Sequence, residues 1–138
     1  MIVVSIIALL AAIAVPGLVR ARERAKKTRF VNALRVARDA FELYATEHNT
    51  YPPDDGPGVL PPGMQTYFGS KLNWTAPSPI GGQWDWDNNY LGITGVSVWM
   101  TALPREEMEE VDRMIDDGNL SAGAFRESQL NRYTWLVE

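Results

Sequence analysis

The sequence predicts an α+β fold: a long N-terminal helix packed on a small antiparallel sheet, with a short additional helix. Three observations carry this. Residues 1–49 hold one continuous helical pattern, apolar on every side up to Val19 and two-faced from Phe30 onward. Residues 52–82 gather seven prolines and six glycines, which no long regular element tolerates. From Gln83 the pattern turns to period two and β-rich runs, interrupted by an acidic amphipathic stretch at about 104–117.

The first element opens with Met1–Val19, which contains no charge and only one hydroxyl, Ser5. As a helix at 1.5 Å per residue this stem spans roughly 28 Å, close to the hydrocarbon thickness of a bilayer. A helix apolar all round belongs in lipid or among copies of itself. Cleaved signal peptides carry their positive charge before the apolar run. Here it follows, so the stem reads as retained. Pro16 removes a backbone donor and crowds the preceding turn, and with Gly17 it predicts a kink. Next comes a basic collar, Arg20, Arg22, Arg24, Lys26, Lys27 and Arg29, against the single Glu23. The collar carries +5 and the rest of the chain −9, within a net charge of −4. The chain is thus an apolar stem, a basic collar and an acidic head.

Beyond the collar, Phe30, Leu34, Ala37, Phe41 and Tyr44 recur at helical intervals, widened by Ala33, Val36, Ala40 and Leu43. The helix is expected to end near His48-Asn49, because Tyr51-Pro52-Pro53 cannot continue it. Two divisions result: 1–29, the hydrophobic helix suited to lipid or to packing among copies of itself, with its collar, and 30–138, the head. The head contains the amphipathic half-helix 30–49, a loop 50–82 and a β-rich region 83–138. Tyr67, Phe68, Leu72 and Trp74 should pin the loop to the core, with a short helix around 62–68. Trp84-Asp85-Trp86-Asp87 alternates and Asn88-Asn89 offers a turn. Strands are expected at 90–94 and 95–101, split at Gly95, and at 120–125 and 132–137. A helix opened by Pro104 has Glu106, Glu107, Glu109 and Glu110 near its positive end and Met108, Val111, Met114 and Ile115 as its apolar face.

No catalytic constellation emerges. The chain has no cysteine and a single histidine, His48, at a helix end. No serine sits in a nucleophile elbow, and the glycine-rich stretches lack phosphate-binding patterns. The sequence reads as a non-enzyme. Trp84 and Trp86, two apart, share one strand face, read as core rather than as a sugar platform, and Asp85 and Asp87 take the other. Oxygen ligands at Asp85 and Asp87 before a turn make a candidate calcium site, set against a hairpin with solvated carboxylates. Asp54-Asp55-Gly56 and Asp116-Asp117-Gly118 read first as turn formers.

The run Met1-Ile-Val-Val-Ser-Ile-Ile-Ala-Leu-Leu-Ala-Ala-Ile-Ala-Val-Pro16-Gly-Leu, followed by Arg-Ala-Arg-Glu-Arg-Ala, resembles the N-terminus of type IV pilins and type II secretion pseudopilins. Tyr51-Pro52 after the long helix, and Pro79-Ile80-Gly81-Gly82 before the β-region, look more like the major, G-type pseudopilin. The resemblance implies the type IV pilin-like fold and a structural subunit that polymerises into a filament, most simply a secretion pseudopilus acting in protein export. It implies insertion in the inner membrane with an extracytoplasmic head, leader removal by a prepilin peptidase and N-methylation. Extraction by assembly-platform proteins follows, into a periplasmic pseudopilus or surface filament capped by minor pilins or pseudopilins. Ile6, Ile7, Leu10, Ala11, Ala14, Pro16 and Gly17 would pack in the filament core, where small residues allow close approach. Major pseudopilins also carry a calcium site in a late loop, which the composition around Asp85 and Asp87 matches. The family's mature chain starts a few residues earlier, with an aromatic residue and an assembly glutamate, so residues are expected before Met1. Against the positive-inside rule, the family places the collar outside the cytoplasm, where it meets acidic groups of neighbouring subunits or lipid headgroups. Phosphate-backbone binding of nucleic acid by the collar would be sequence-independent and is not favoured. The alternatives are a surface pilus for adhesion, motility or DNA uptake, and a membrane-anchored binding domain that never polymerises.

Overall fold

The computed structural model describes residues 1–137. Helix α1, Ile2–His48, is 47 residues long, about 70 Å at the rise of an α-helix. It runs unbroken through Pro16. Asn49 closes it in the left-handed conformation at φ 55°, which asparagine tolerates better than most residues. Nothing covers the first 22 residues, and burial begins at the collar. Lys27, Phe30, Val31, Leu34, Ala37, Ala40 and Phe41 form the buried stripe. Leu43 departs from the expected stripe and is exposed. Two residues past Phe41, it lies about 200° round the helix.

The stripe packs against a four-stranded antiparallel sheet of order β1-β2-β4-β3. The strands are β1 Gln83–Tyr90, β2 Ile93–Trp99, β3 Phe125–Gln129 and β4 Arg132–Leu136. Trp84 pairs with Val98, and Trp86 with Val96. In β4, Tyr133 and Trp135 pair with Val98 and Val96. These positions share the face turned to α1, as the period-two reading of the tryptophans requires. Phe41 stacks on Trp86 at 3.8 Å between centroids, and Phe30 on Trp84 at 5.6 Å. The loop 50–82 closes the core from one side. Met64, Phe68, Trp74 and Ile80 are buried, and the Trp74 indole donates to the Val59 carbonyl at 2.7 Å. Its only helix is α2, Gln65–Phe68.

Three strand expectations are corrected. The hairpin turns at Leu91-Gly92, both at positive φ, rather than at Asn88-Asn89, which stay inside an irregular end of β1. β2 runs through Gly95 instead of breaking there. A Cβ at Gly95 would collide with the Trp135 backbone carbonyl, so this glycine permits close strand approach rather than ending a strand. The third strand is Phe125–Gln129, not 120–125. Residues 120–124 form turns, with Leu120 buried, and the polar run 125–129 is the sheet edge. Helix α3, Arg105–Ile115, sits in the β2–β3 connection, starting one residue after Pro104. It buries Met108 and Val111 but leaves Met114 exposed, and Asp112 is buried in its place.

Candidate functional site

The most conspicuous surface is the stem. Ile6, Ile7 and Leu10 are 52–61% exposed, and Ala11, Ala14, Pro16 and Gly17 are exposed as well. The helix is long and apolar enough to cross a membrane, and none of its most apolar 18-residue window is buried by the head. Eleven large aliphatic side chains from Ile2 to Val19 lie in the open. At about 1.5–3 kcal/mol for each such side chain taken out of water, burial of the stem would gain on the order of 15–30 kcal/mol. A drive of that size favours lipid or other apolar helices around the stem.

The collar divides into two parts. Arg20, Arg22, Arg24 and Arg29 are exposed and make no ion pair among the described residues. Lys26 pairs with Glu23 at 3.0 Å on the helix surface. Lys27 leaves the collar altogether. Its side chain is 7% exposed and its ammonium is held by Glu107 and, at 2.5 Å, by Glu110 of α3. Burial alone would lower the Lys27 pKa, but the hydrogen bonds and charges of the two glutamates outweigh it and raise the group. Lys27 also lowers Glu110 below its ordinary value. This pairing fastens α3 to the base of the stem, beside a groove lined by Arg20, Arg24 and the same glutamates. Nothing in the sequence pattern sets Lys27 apart from its five basic neighbours, and its partners lie some 80 residues away.

The candidate calcium ligands Asp85 and Asp87 lie on the sheet face opposite the tryptophans, where solvated carboxylates were expected. Both are buried. Arg132, on the same face of β4, donates to Asp85 Oδ2 at 2.8 Å and Asp87 Oδ1 at 2.5 Å. The Ser97 hydroxyl donates to Asp87 Oδ2 and meets Thr134 Oγ1 at 2.7 Å. Tyr90 stacks over the guanidinium at 5.3 Å. The guanidinium therefore holds the place between the carboxylates that a cation would need. One positive charge serves two buried acids, so burial keeps a proton close, helped at Asp85 alone by the negative neighbours Asp87 and Asp54. Asp85 is pushed up to about 7, mainly by burial and then by Asp87, and Asp87 is raised by burial against the pull of Ser97 and Arg132. Asp54 at the rim is raised too, by burial and then by Asp87. Arg132 was missed in the sequence, although Arg132 and Thr134 alternate as Asp85 and Asp87 do. The missing information was register.

His48 stacks on the Tyr44 ring at 4.1 Å, with its Nδ1 3.0 Å from the Tyr44 carbonyl, a helix-terminal packing role. At the other end of the head, Asp112, Asp116 and Asp117 come together where α3 ends. No family model, curated protein or solved structure matches this chain.

Proposed function

We propose that the protein is a structural subunit of a type IV-like filament, most simply a type II secretion pseudopilus that acts in protein export. The carrying observation is the stem: a wholly uncovered apolar helix continuous with the helix that forms the core of the head. Such a rod holds stem and head in fixed relation, so packing of stems in a bundle would set the heads in regular array. In this reading the bilayer stores the subunit and the bundle of stems replaces lipid around the same side chains. Ala11 and Ala14 allow close approach, and Ile6, Ile7 and Leu10 fill the spaces between helices. The Lys27 pairing keeps the head from swinging on the stem, which a regular array needs.

The chain lacks cysteine, so one introduced thiol reports contact cleanly. Ala11→Cys subunits expressed in a membrane with the assembly machinery should form disulfide-linked dimers on mild oxidation, and sheared material should show fibres in negative-stain electron microscopy. Short fibres seen only on overexpression indicate a pseudopilus, and long surface fibres a pilus. A chain that stays monomeric with no fibre under either condition is an anchored domain, and the proposal fails.

A further inference from the structure

The collar's cations divide by helix face. At about 100° per residue, Gly17, Arg20, Arg24 and Lys27 fall on one side of α1 and continue the buried stripe of Val31 and Leu34 out of the head towards the stem. Arg22, Lys26 and Arg29 fall on the opposite side. Only the first set meets α3, and there the two helices enclose a groove of about 760 Å³. The groove rises about 15 Å along α1, from Gly17 to Lys27. It starts where the uncharged run ends at Val19. For a stem held in a bilayer, that is the band of the polar headgroups beside the hydrocarbon. The charges of the groove balance: Arg20, Arg24 and Lys27 against Glu23, Glu107 and Glu110. They are also sorted. Arg20 and Arg24 lie one turn apart on the stem side, and Glu107 and Glu110 one turn apart on α3. Lys27, with its side chain 7% exposed, holds one oxygen of each glutamate, so each has a second oxygen to offer, and the two side chains are 40% and 56% exposed. Arg20 and Arg24 make no ion pair among the described residues. Arg24 is nonetheless near enough to Glu110 to add to the lowering that Lys27 causes there.

We infer that this groove seats the headgroup of a phosphatidylethanolamine, with the phosphate on Arg20 and Arg24 and the ammonium on Glu107 and Glu110. Guanidinium groups match phosphate oxygens through paired, charge-assisted hydrogen bonds. A primary ammonium carries three donors and no acceptor, which suits the remaining oxygens of two neighbouring carboxylates. A choline head has no N–H to donate. A net anionic head would add charge to a groove already in balance and leave the carboxylates unmet. Below the charges the groove opens onto the apolar stem. A Cβ at Gly17 would meet nothing within 4 Å, so the acyl chains have room to run down beside it. The lipid spans the same junction of stem and α3 that Lys27 closes, and adds a second fastening while the subunit is stored in the bilayer. The inference rests on that storage, as read above, and not on polymerisation.

The test uses the full chain in a non-ionic detergent, titrated with dioleoyl phospholipids that differ only in headgroup, with bound lipid counted by native mass spectrometry. Wild type should bind the phosphatidylethanolamine about tenfold more tightly than the phosphatidylcholine, the worth of one charge-assisted hydrogen bond. Arg20→Gln/Arg24→Gln should weaken both lipids by about tenfold or more. Arg22→Gln/Arg29→Gln, which removes the same charge from the opposite face, should change neither. Glu110→Gln should erase the preference for ethanolamine and leave the affinity for phosphatidylcholine as it was. Because it also takes a partner from Lys27, its thermal melt is recorded alongside, and the exposed arginine pairs decide the matter if it unfolds. Equal affinity for the two lipids in wild type would overturn the site, as would equal losses in the two arginine pairs. Tighter binding of phosphatidylglycerol than of phosphatidylethanolamine would reduce it to a general attraction of the collar for anionic lipid, and the assignment would fall. Fibres formed by a chain without lipid preference remove this site and leave the filament reading standing. A lipid preference in a chain that never forms fibres does the reverse.

Discussion

Replacing Arg132 by methionine tests how the polar face of the sheet is held. The variant keeps much of the side-chain volume but strips the counter-charge from two carboxylates that are 2% and 3% exposed. Removing one partner of a buried ion pair costs about 3–5 kcal/mol, most of it the penalty of stranding the other charge. For a head of this size that corresponds to a fall in Tm of about 15–30 °C. The loss should depend on pH in a direction the structure sets. Asp85 and Asp87 have folded-state pKa values raised above the unfolded 3.8, with Asp85 at about 7. Groups of this kind cost nothing below pH 4, where both states are protonated, and their full penalty applies above the folded pKa. Wild type should therefore gain stability as pH falls from 7 towards 4. Arg132→Met should gain more over the same interval, because its carboxylates lose their only cation. The assay is urea unfolding of the full chain in detergent at pH 5 and pH 8, followed by tryptophan fluorescence, since Trp84 and Trp86 lie on the opposite face of β1. The triple variant Asp85→Asn/Asp87→Asn/Arg132→Met, with no stranded charge, should recover most of the loss. A single variant within about 1 kcal/mol of wild type at pH 8 would refute the reasoning, as would a loss of equal size at both pH values.

Two further substitutions probe the joints of the fold. Lys27→Met should free α3 from the stem base and flatten the pH dependence at both extremes. The raised Lys27 contributes stability below its unfolded value of 10.5 that is lost as pH climbs through its folded value. The lowered Glu110 contributes stability above its ordinary 4.5 that is lost as pH falls through its folded value. Thermal melts from pH 3 to 11 check this, and an unchanged profile would mean that the pairing adds little. Phe41→Ala should destabilise the head by about 3–5 kcal/mol, because Phe41 is fully buried and its ring contacts Trp86, Trp74 and Phe68. Chemical denaturation gives the value, and a loss under about 1 kcal/mol would show that the loop 50–82 collapses into the cavity.

The long helix was legible because its signal is local and repeated. Phe30, Leu34, Ala37 and Phe41 recur every three or four residues, and each adds to the same direction around the axis. The tryptophan face of β1 was legible for the same reason, with period two. Gly95 was misread because a glycine inside a β-run looks like a break until its neighbour is known, and that neighbour, Trp135, is 40 positions away. Residues 120–125 were misread because Leu120 and Phe125 are both buried, and burial without alternation does not distinguish a turn from a strand. Met114, expected on the apolar face of α3, is exposed, and Asp112 is buried. The periodicity fits the methionine to the apolar face, and only the turn at 116–123, folded back over the helix, puts the aspartate inside.

The sequence by itself determined the class of this protein: an uncovered apolar stem, a collar of strong charge and one amphipathic helix feeding a small sheet. Those features depend on which residues lie within a few turns of one another, and the chain states that directly. Tertiary structure alone decided which charges are partners. Lys27 rather than Lys26 turns inward to Glu107 and Glu110, Arg132 sits between Asp85 and Asp87, and Asp112 is buried on α3. An ion pair forms through space across 45 or 80 residues of chain, and its strength depends on a burial that no local pattern records.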